Sequence, residues 1–169
     1  MANPASDALV FFGATGDLAY KQIFPALLAM VARDGLDMPI IGVAHAGWSL
    51  DQLRQRARDS VAAAAQQGGG AVDEAAFAKL SALLKYIDGD YKDPATFAQL
   101  KQALGHARAP LHYLAIPPSL FGTVASSLKA AGGTENARVV VEKPFGRDLP
   151  TAQALNNTLH EVVPEHAIF

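Results

Sequence analysis

Residues 11–27, FFGATGDLAYKQIFPAL, decide how the rest of the chain is read. The apolar run ALVFF (8–12) stops at Gly13, a second glycine follows at Gly16, and a helical pattern begins at Asp17. A strand that turns into a helix through glycine is common architecture. It is also the local plan of a phosphate-binding loop. Glycine takes positive φ and lets a ligand approach the backbone, and the free N–H groups and dipole at the start of a helix favour phosphate. Thr15 adds a hydroxyl donor. The spacing is GxxGxxA, not the GxGxxG of the dinucleotide fingerprint, so the loop alone leaves a plain tight turn open.

Outward from this loop, short apolar runs alternate with helical patterns. ALVFFGA (8–14) reads as a first strand, with a helix from about Asp17 to Arg33. PIIGVA (39–44) is a second strand. Ser49 then caps a helix, and Gln52 completes a capping box three residues on. GGGAVD (68–73) breaks that helix, and Asp73 caps a short one to about Leu84. KYIDGDY (85–91) is a weaker strand. Asp93 caps the next helix, with Pro94 at its first position, where a missing N–H costs nothing. LHYLAI (111–116) is a strand, PPSLFGTVASSLKAAG (117–132) a helix ending on Gly132, and ARVVVEK (137–143) a strand. A last helix, 149–163, stops at Pro164, and AIF (167–169) starts another strand. Unalternating apolar strands imply burial on both faces. The alternation of strand and helix predicts an α/β fold: a Rossmann-type doubly wound, mostly parallel sheet with helices on both faces. A chain that stops three residues into a strand is expected to be a fragment of a longer protein.

Composition narrows the chemistry. The chain has 169 residues, half of them apolar and 18% charged, with a net charge of −2. This is one ordinary globular domain, and the balance argues against nucleic acid as a partner. Cysteine is absent, which excludes thiolate catalysis and sulfur-ligated zinc. His45, His106, His112, His160 and His166 show no metal-binding spacing, so no metal is expected. No segment approaches the length of a membrane helix, and MANPASDALVFF lacks the basic and apolar regions of a signal peptide. A cytoplasmic location is expected.

Ligand-capable groups fall at the carboxyl ends of the expected strands, where such a sheet forms its binding crevice. Gly13, Ala14, Thr15, Gly16, Asp17, Leu18, Ala19 and Tyr20 make up the loop and helix start. At the end of the second strand an acid favours NAD and a base NADP. The residue there is His45, which is neither an acid nor a permanent cation. Asp90 and Tyr91 follow the third strand, where a bare turn is the simpler reading. Phe121, after the paired prolines, can pack on a cofactor ring or only begin a helix. Lys143, held before Pro144, points into the crevice, or is simply a solvated strand end.

FFGATGDLAYKQIFPAL (11–27), YLAIPPSLF (113–121) and VVVEKPFGRDL (139–149) together resemble the glucose-6-phosphate dehydrogenase family, along essentially the whole chain. The resemblance implies an NADP-dependent, sometimes NAD-dependent, oxidoreductase of the pentose phosphate pathway. Such enzymes oxidise C1 of glucose 6-phosphate to 6-phosphogluconolactone, with hydride transfer to the nicotinamide. It implies that Gly13 to Tyr20 form the pyrophosphate loop and that Asp90, Tyr91 and Phe121 line the cofactor. Lys143 would lie between substrate and nicotinamide. His45 stands where the family places an arginine or lysine for the 2′-phosphate, which leaves NAD acceptable beside NADP.

The resemblance also implies that residues 1–169 are the dinucleotide-binding domain. The catalytic histidines and the substrate and dimerisation surfaces then belong to a β+α domain absent from this chain, and the whole enzyme is a homo-oligomer. These residues alone are expected to be inactive and to contain no catalytic base. The alternatives are a non-catalytic nucleotide-binding module or another sugar oxidoreductase with an EKP strand end. A short-chain reductase is disfavoured, because none of Tyr20, Tyr86, Tyr91 or Tyr113 has a lysine four residues later.

Overall fold

The computed structural model describes residues 5–169; the first four residues of the stretch read above for a leader lie outside it. Five strands, β1 (Ala8–Phe12), β2 (Ile40–Ala44), β3 (Leu84–Asp88), β4 (Pro110–Leu114) and β5 (Arg138–Val141), form one sheet in the order β3-β2-β1-β4-β5. Every pairing is parallel. β1 lies in the centre, between β2 and β4, and its Val10, Phe11 and Phe12 are fully buried. The expected strand at the end of the chain is present as a single parallel bridge between Ile168 and Val139. Phe169 N–H donates to the Val139 carbonyl at 2.8 Å and its carbonyl accepts from Val141 N–H at 2.9 Å. That extends the order to the 3-2-1-4-5-6 of a doubly wound sheet.

Side-chain alternation splits the core into two layers. Phe11, Ile40 and Leu84 pack on one face beneath α1 (Phe24–Asp34), α2 (Leu50–Gln67) and α3 (Glu74–Leu83). Val10, Phe12, Ile41 and Val139 pack on the other beneath α4 (Pro94–Leu104), α5 (Phe121–Ala130) and α6 (Leu149–His160). Helices therefore lie on both faces, while on the α1–α3 side Leu111, Tyr113 and Val140 of β4 and β5 stay only partly buried. Among the described residues no helix is long and apolar enough to cross a membrane.

Local signals set the helix starts. Ser49 and Gln52 form the reciprocal capping box at α2, and Asp73 and Asp93 cap α3 and α4 through Ala76 N–H and Ala95 N–H. Asp148 caps α6 in a box with Thr151. Some boundaries differ from the sequence reading. The helix after the first loop contains a π-helical turn, Ala19–Ile23, before α1. The third strand ends at Asp88, because Asp90 turns the chain toward α4. The helix after the paired prolines begins with a 3₁₀ turn, Pro118–Leu120. The last helix closes at His160, three residues short of Val163, which is buried in the turn that follows.

Gly42 in β2 shows why this face packs so closely. A Cβ there would lie 2.8 Å from the Ala14 Cβ and 3.0 Å from Leu53 Cδ2. Only glycine lets the first loop and α2 settle together on β2.

Candidate functional site

With every strand parallel, the loops after β1 to β5 all leave at the same edge of the sheet. The loop after β1 occupies its middle. Gly13 adopts φ +82°, and a Cβ on it would sit 2.1 Å from the Ala115 carbonyl oxygen. Its N–H is shared between the Val43 carbonyl and the Tyr91 hydroxyl, each at 2.9 Å. Ala14 N–H also donates to Val43 at 3.2 Å, and Gly16 N–H to Gly13 at 3.0 Å. The amides of Gly13, Ala14 and Gly16 thus shape the loop.

The first bond of the following helix is Tyr20 N–H to the Gly16 carbonyl, at 3.1 Å. Asp17, Leu18 and Ala19 precede it, so their N–H groups lack an intrahelical partner, as at any helix start. Of these residues Asp17 is exposed and Leu18 partly so, as is Thr15 beside them. Ala14 and Ala19 are fully buried and hold the loop down by packing. A backbone free of Cβ at Gly13 and Gly16, followed by open amides, fits a pyrophosphate.

The helix start is fastened to α2. The exposed Asp17 carboxylate lies 3.9 Å from both Lys21 Nζ and the Arg56 guanidinium. Arg56 also lies over the Tyr20 ring, 4.3 Å from its centroid, and the Ser60 hydroxyl donates to the Tyr20 carbonyl. Tyr20 is therefore half-buried against α2. Nothing in the pattern of α2 singles out Arg56 from its neighbouring arginines.

His45 is exposed on the loop after β2, at the expected position. That loop is held by a residue of another strand, which no local pattern around His45 signals. Asp88, opposite Ala44 in the sheet, accepts hydrogen bonds from Ala46 N–H and Gly47 N–H, both at 2.9 Å. Register alone reveals this role.

The two groups after β3 divide. Asp90 is exposed and its carboxylate closes its own turn on Lys92 N–H at 2.9 Å, while its carbonyl accepts from the Thr96 hydroxyl at 2.8 Å. Its carboxylate therefore serves the turn. Tyr91 reaches under the first loop, donating to the Val43 carbonyl at 3.2 Å while accepting from Gly13. Burial pushes its phenol up from the ordinary value, opposed by the Gly13 amide.

Phe121 corrects an expectation. It is completely buried within the α4–α6 layer, so its ring meets only protein and lines no crevice. The 3₁₀ turn before it aligns α5 so that this first residue faces the sheet. Lys143 stands exposed after β5, preceding a cis peptide to Pro144. Beside it a 560 Å³ cavity opens between Pro117, Pro118 and Ser119 on one side and Pro144, Arg147 and Leu155 on the other. Glu142, next to Lys143, accepts a hydrogen bond from the Tyr113 hydroxyl. Along the edge the order is thus His45 with Asp88, then the glycine loop over Tyr91, then the cavity with Lys143.

The sequence profile of the family described as "Glucose-6-phosphate dehydrogenase, NAD binding domain" matches residues 10–169. Glucose-6-phosphate 1-dehydrogenase 1 of Mycobacterium tuberculosis is 42% identical over 164 residues, covering 97% of this chain and 34% of that protein. Glucose-6-phosphate 1-dehydrogenase of Bacillus subtilis is 33% identical over 173 residues, covering 95% of this chain and 34% of that one. The crystal structure of glucose-6-phosphate 1-dehydrogenase from Mycobacterium avium superposes with a TM-score of 0.90 at 44% identity, over 98% of this chain and 35% of that chain. A glucose-6-phosphate dehydrogenase in complex with glucose 6-phosphate superposes at 0.84 and 32% identity, over all of this chain and 37% of that one. The chain spans about a third of the length of the curated relatives it matches.

Proposed function

Since the chain belongs to the glucose-6-phosphate dehydrogenase NAD-binding domain family, we propose that its carboxyl edge holds a nicotinamide dinucleotide for a glucose-6-phosphate dehydrogenase. The observation that carries this reading is the fixed glycine loop in the middle of the edge, with open amides after it and different chemistry on either side. The pyrophosphate rests on the Asp17 and Leu18 amides and on Thr15, with the loop kept in shape by Tyr91. The adenosine end lies toward His45, and the nicotinamide toward Lys143. Within this reading residues 1–169 act as one dinucleotide-binding domain.

The nicotinamide, when bound, supplies a hydride acceptor for C1 of glucose 6-phosphate. Lys143 positions substrate and nicotinamide beside the cavity. The residues that take the proton from the C1 hydroxyl belong to the β+α part of a homo-oligomeric enzyme. NADP is the proposed cofactor, with NAD accommodated because His45 carries no permanent charge.

Calorimetric titration of the 169-residue chain with NADP and with NAD tests the site. Binding of at least one supports it, and absence of both overturns it. Formation of NADPH from glucose 6-phosphate by this chain alone is expected to be undetectable; a measurable rate would place the proton acceptor within these residues.

A further inference from the structure

Cofactor choice in a doubly wound sheet is usually written at the end of β2, by an acid for a ribose diol or a base for a 2′-phosphate. Here β2 ends in Ala44 and is followed by His45, so it supplies neither. Its neighbour supplies a charge instead. Asp88 ends β3 in register with Ala44. Its Oδ1 receives Ala46 N–H and Gly47 N–H at 2.9 Å and the Tyr86 hydroxyl at 2.8 Å. The carboxylate is therefore fixed against the loop that carries His45.

Three cations on flanking elements, Arg54, Arg56 and Lys85, are engaged elsewhere. Arg54 binds Asp51 at 3.4 Å and the Ser81 carbonyl at 3.1 Å. Arg56 is held by Asp17 and Tyr20. Lys85 turns to the Ala103 carbonyl at 3.1 Å.

We propose that Asp88 is a specificity-determining residue: its negative charge beside the His45 loop disfavours a 2′-phosphate and lowers affinity for NADP relative to NAD. The inference rests on reading the glycine loop and His45 as the cofactor site. The Ala46 amide, with the Tyr86 hydroxyl and the Gly47 amide, holds the Asp88 carboxyl below the usual carboxylate range against a smaller effect of burial. The charge is thus present at neutral pH. Like charges within a Debye length of about 8 Å repel, and salt weakens that repulsion.

The test is the ratio of NADP to NAD affinity, measured by calorimetry on the 169-residue chain. Asp88→Asn keeps Oδ1 as an acceptor and removes only the charge. It is expected to tighten NADP about threefold to tenfold while moving NAD less than about twofold, with the gain shrinking at high salt. Tyr86→Phe, which removes a hydrogen bond but no charge, is expected to leave the ratio unmoved. In the unsubstituted chain NADP should gain on NAD as salt rises from about 0.05 to 0.5 M. Equal effects of Asp88→Asn on both nucleotides, or a ratio insensitive to salt, would overturn the proposal and leave the site standing. Failure of the unsubstituted chain to bind either nucleotide would overturn the site and this inference together.

Discussion

The Tyr91 hydroxyl accepts a hydrogen bond from the Gly13 amide at 2.9 Å, across 78 residues of sequence. By also donating to the Val43 carbonyl, it ties the loops after β1 and β3 to β2. Tyr91→Phe removes both bonds and keeps the ring that packs edge-on against Phe12. A loss of about 1 kcal/mol in stability is expected, read as a lower melting temperature, with nucleotide affinity reduced several-fold. Unchanged melting and binding would leave Tyr91 as packing only.

Gly13→Ala is a harsher change. The new Cβ would overlap the Ala115 carbonyl in a backbone of positive φ, so β1 and the loop after β4 would have to part. Destabilisation of about 2–4 kcal/mol and loss of nucleotide binding are expected, measured by thermal melting and titration. Gly47→Ala also falls on positive φ but meets no atom within 4 Å; about 1 kcal/mol is expected there.

His45→Arg supplies a permanent cation where the 2′-phosphate is expected. NADP should tighten by about tenfold and NAD hardly at all, the size of one charge-assisted contact. An equal gain for both nucleotides would remove the 2′-phosphate assignment.

Lys143→Ala tests the other end of the edge. The side chain is exposed, so melting should stay within about 0.5 kcal/mol of the unsubstituted chain. Affinity for the complete dinucleotide should fall while affinity for ADP-ribose, which lacks the nicotinamide, stays the same. Equal losses for both would place Lys143 away from the nicotinamide.

His112 gives the fold a pH dependence remote from the site. It is fully buried in β4, with Nε2–H donating to the Gly133 carbonyl at 2.9 Å and Nδ1 buried without a partner. Burial pulls its pKa down to about 4, opposed by the Gly133 carbonyl. Between that value and its ordinary 6.5 the unfolded chain binds the extra proton and the native chain does not. Stability is therefore full above about pH 6.5 and falls with pH until about pH 4, by on the order of 3 kcal/mol. His112→Gln should flatten the decline of melting temperature over this window, as followed by circular dichroism. An unaltered slope would assign acid sensitivity to other groups.

Much of the architecture was legible because its signals are local. Ser49 with Gln52, Asp73, and Asp93 with Pro94 each set a helix start from within one turn, and all act as caps in the structure. The apolar run of β2 announced burial on both faces, and all five of its residues are buried. Segments whose ends depend on packing were less legible. Phe121 is an example: the same aromatic after two prolines can face solvent or sheet, and only the position of α5 over the sheet turns it inward.

By itself the sequence determined the fold class, the order of its elements and the loop from Gly13 to Tyr20, since turn chemistry and hydrophobic period act between near neighbours. Tertiary structure alone decided which groups stand together at the edge. Tyr91 meets Gly13 because parallel pairing sets the loops after β1 and β3 on either side of β2. Asp88 meets the His45 loop because the register places it opposite Ala44. Strand order and register arise from burying whole faces of a sheet, a property of the complete chain that no short stretch contains.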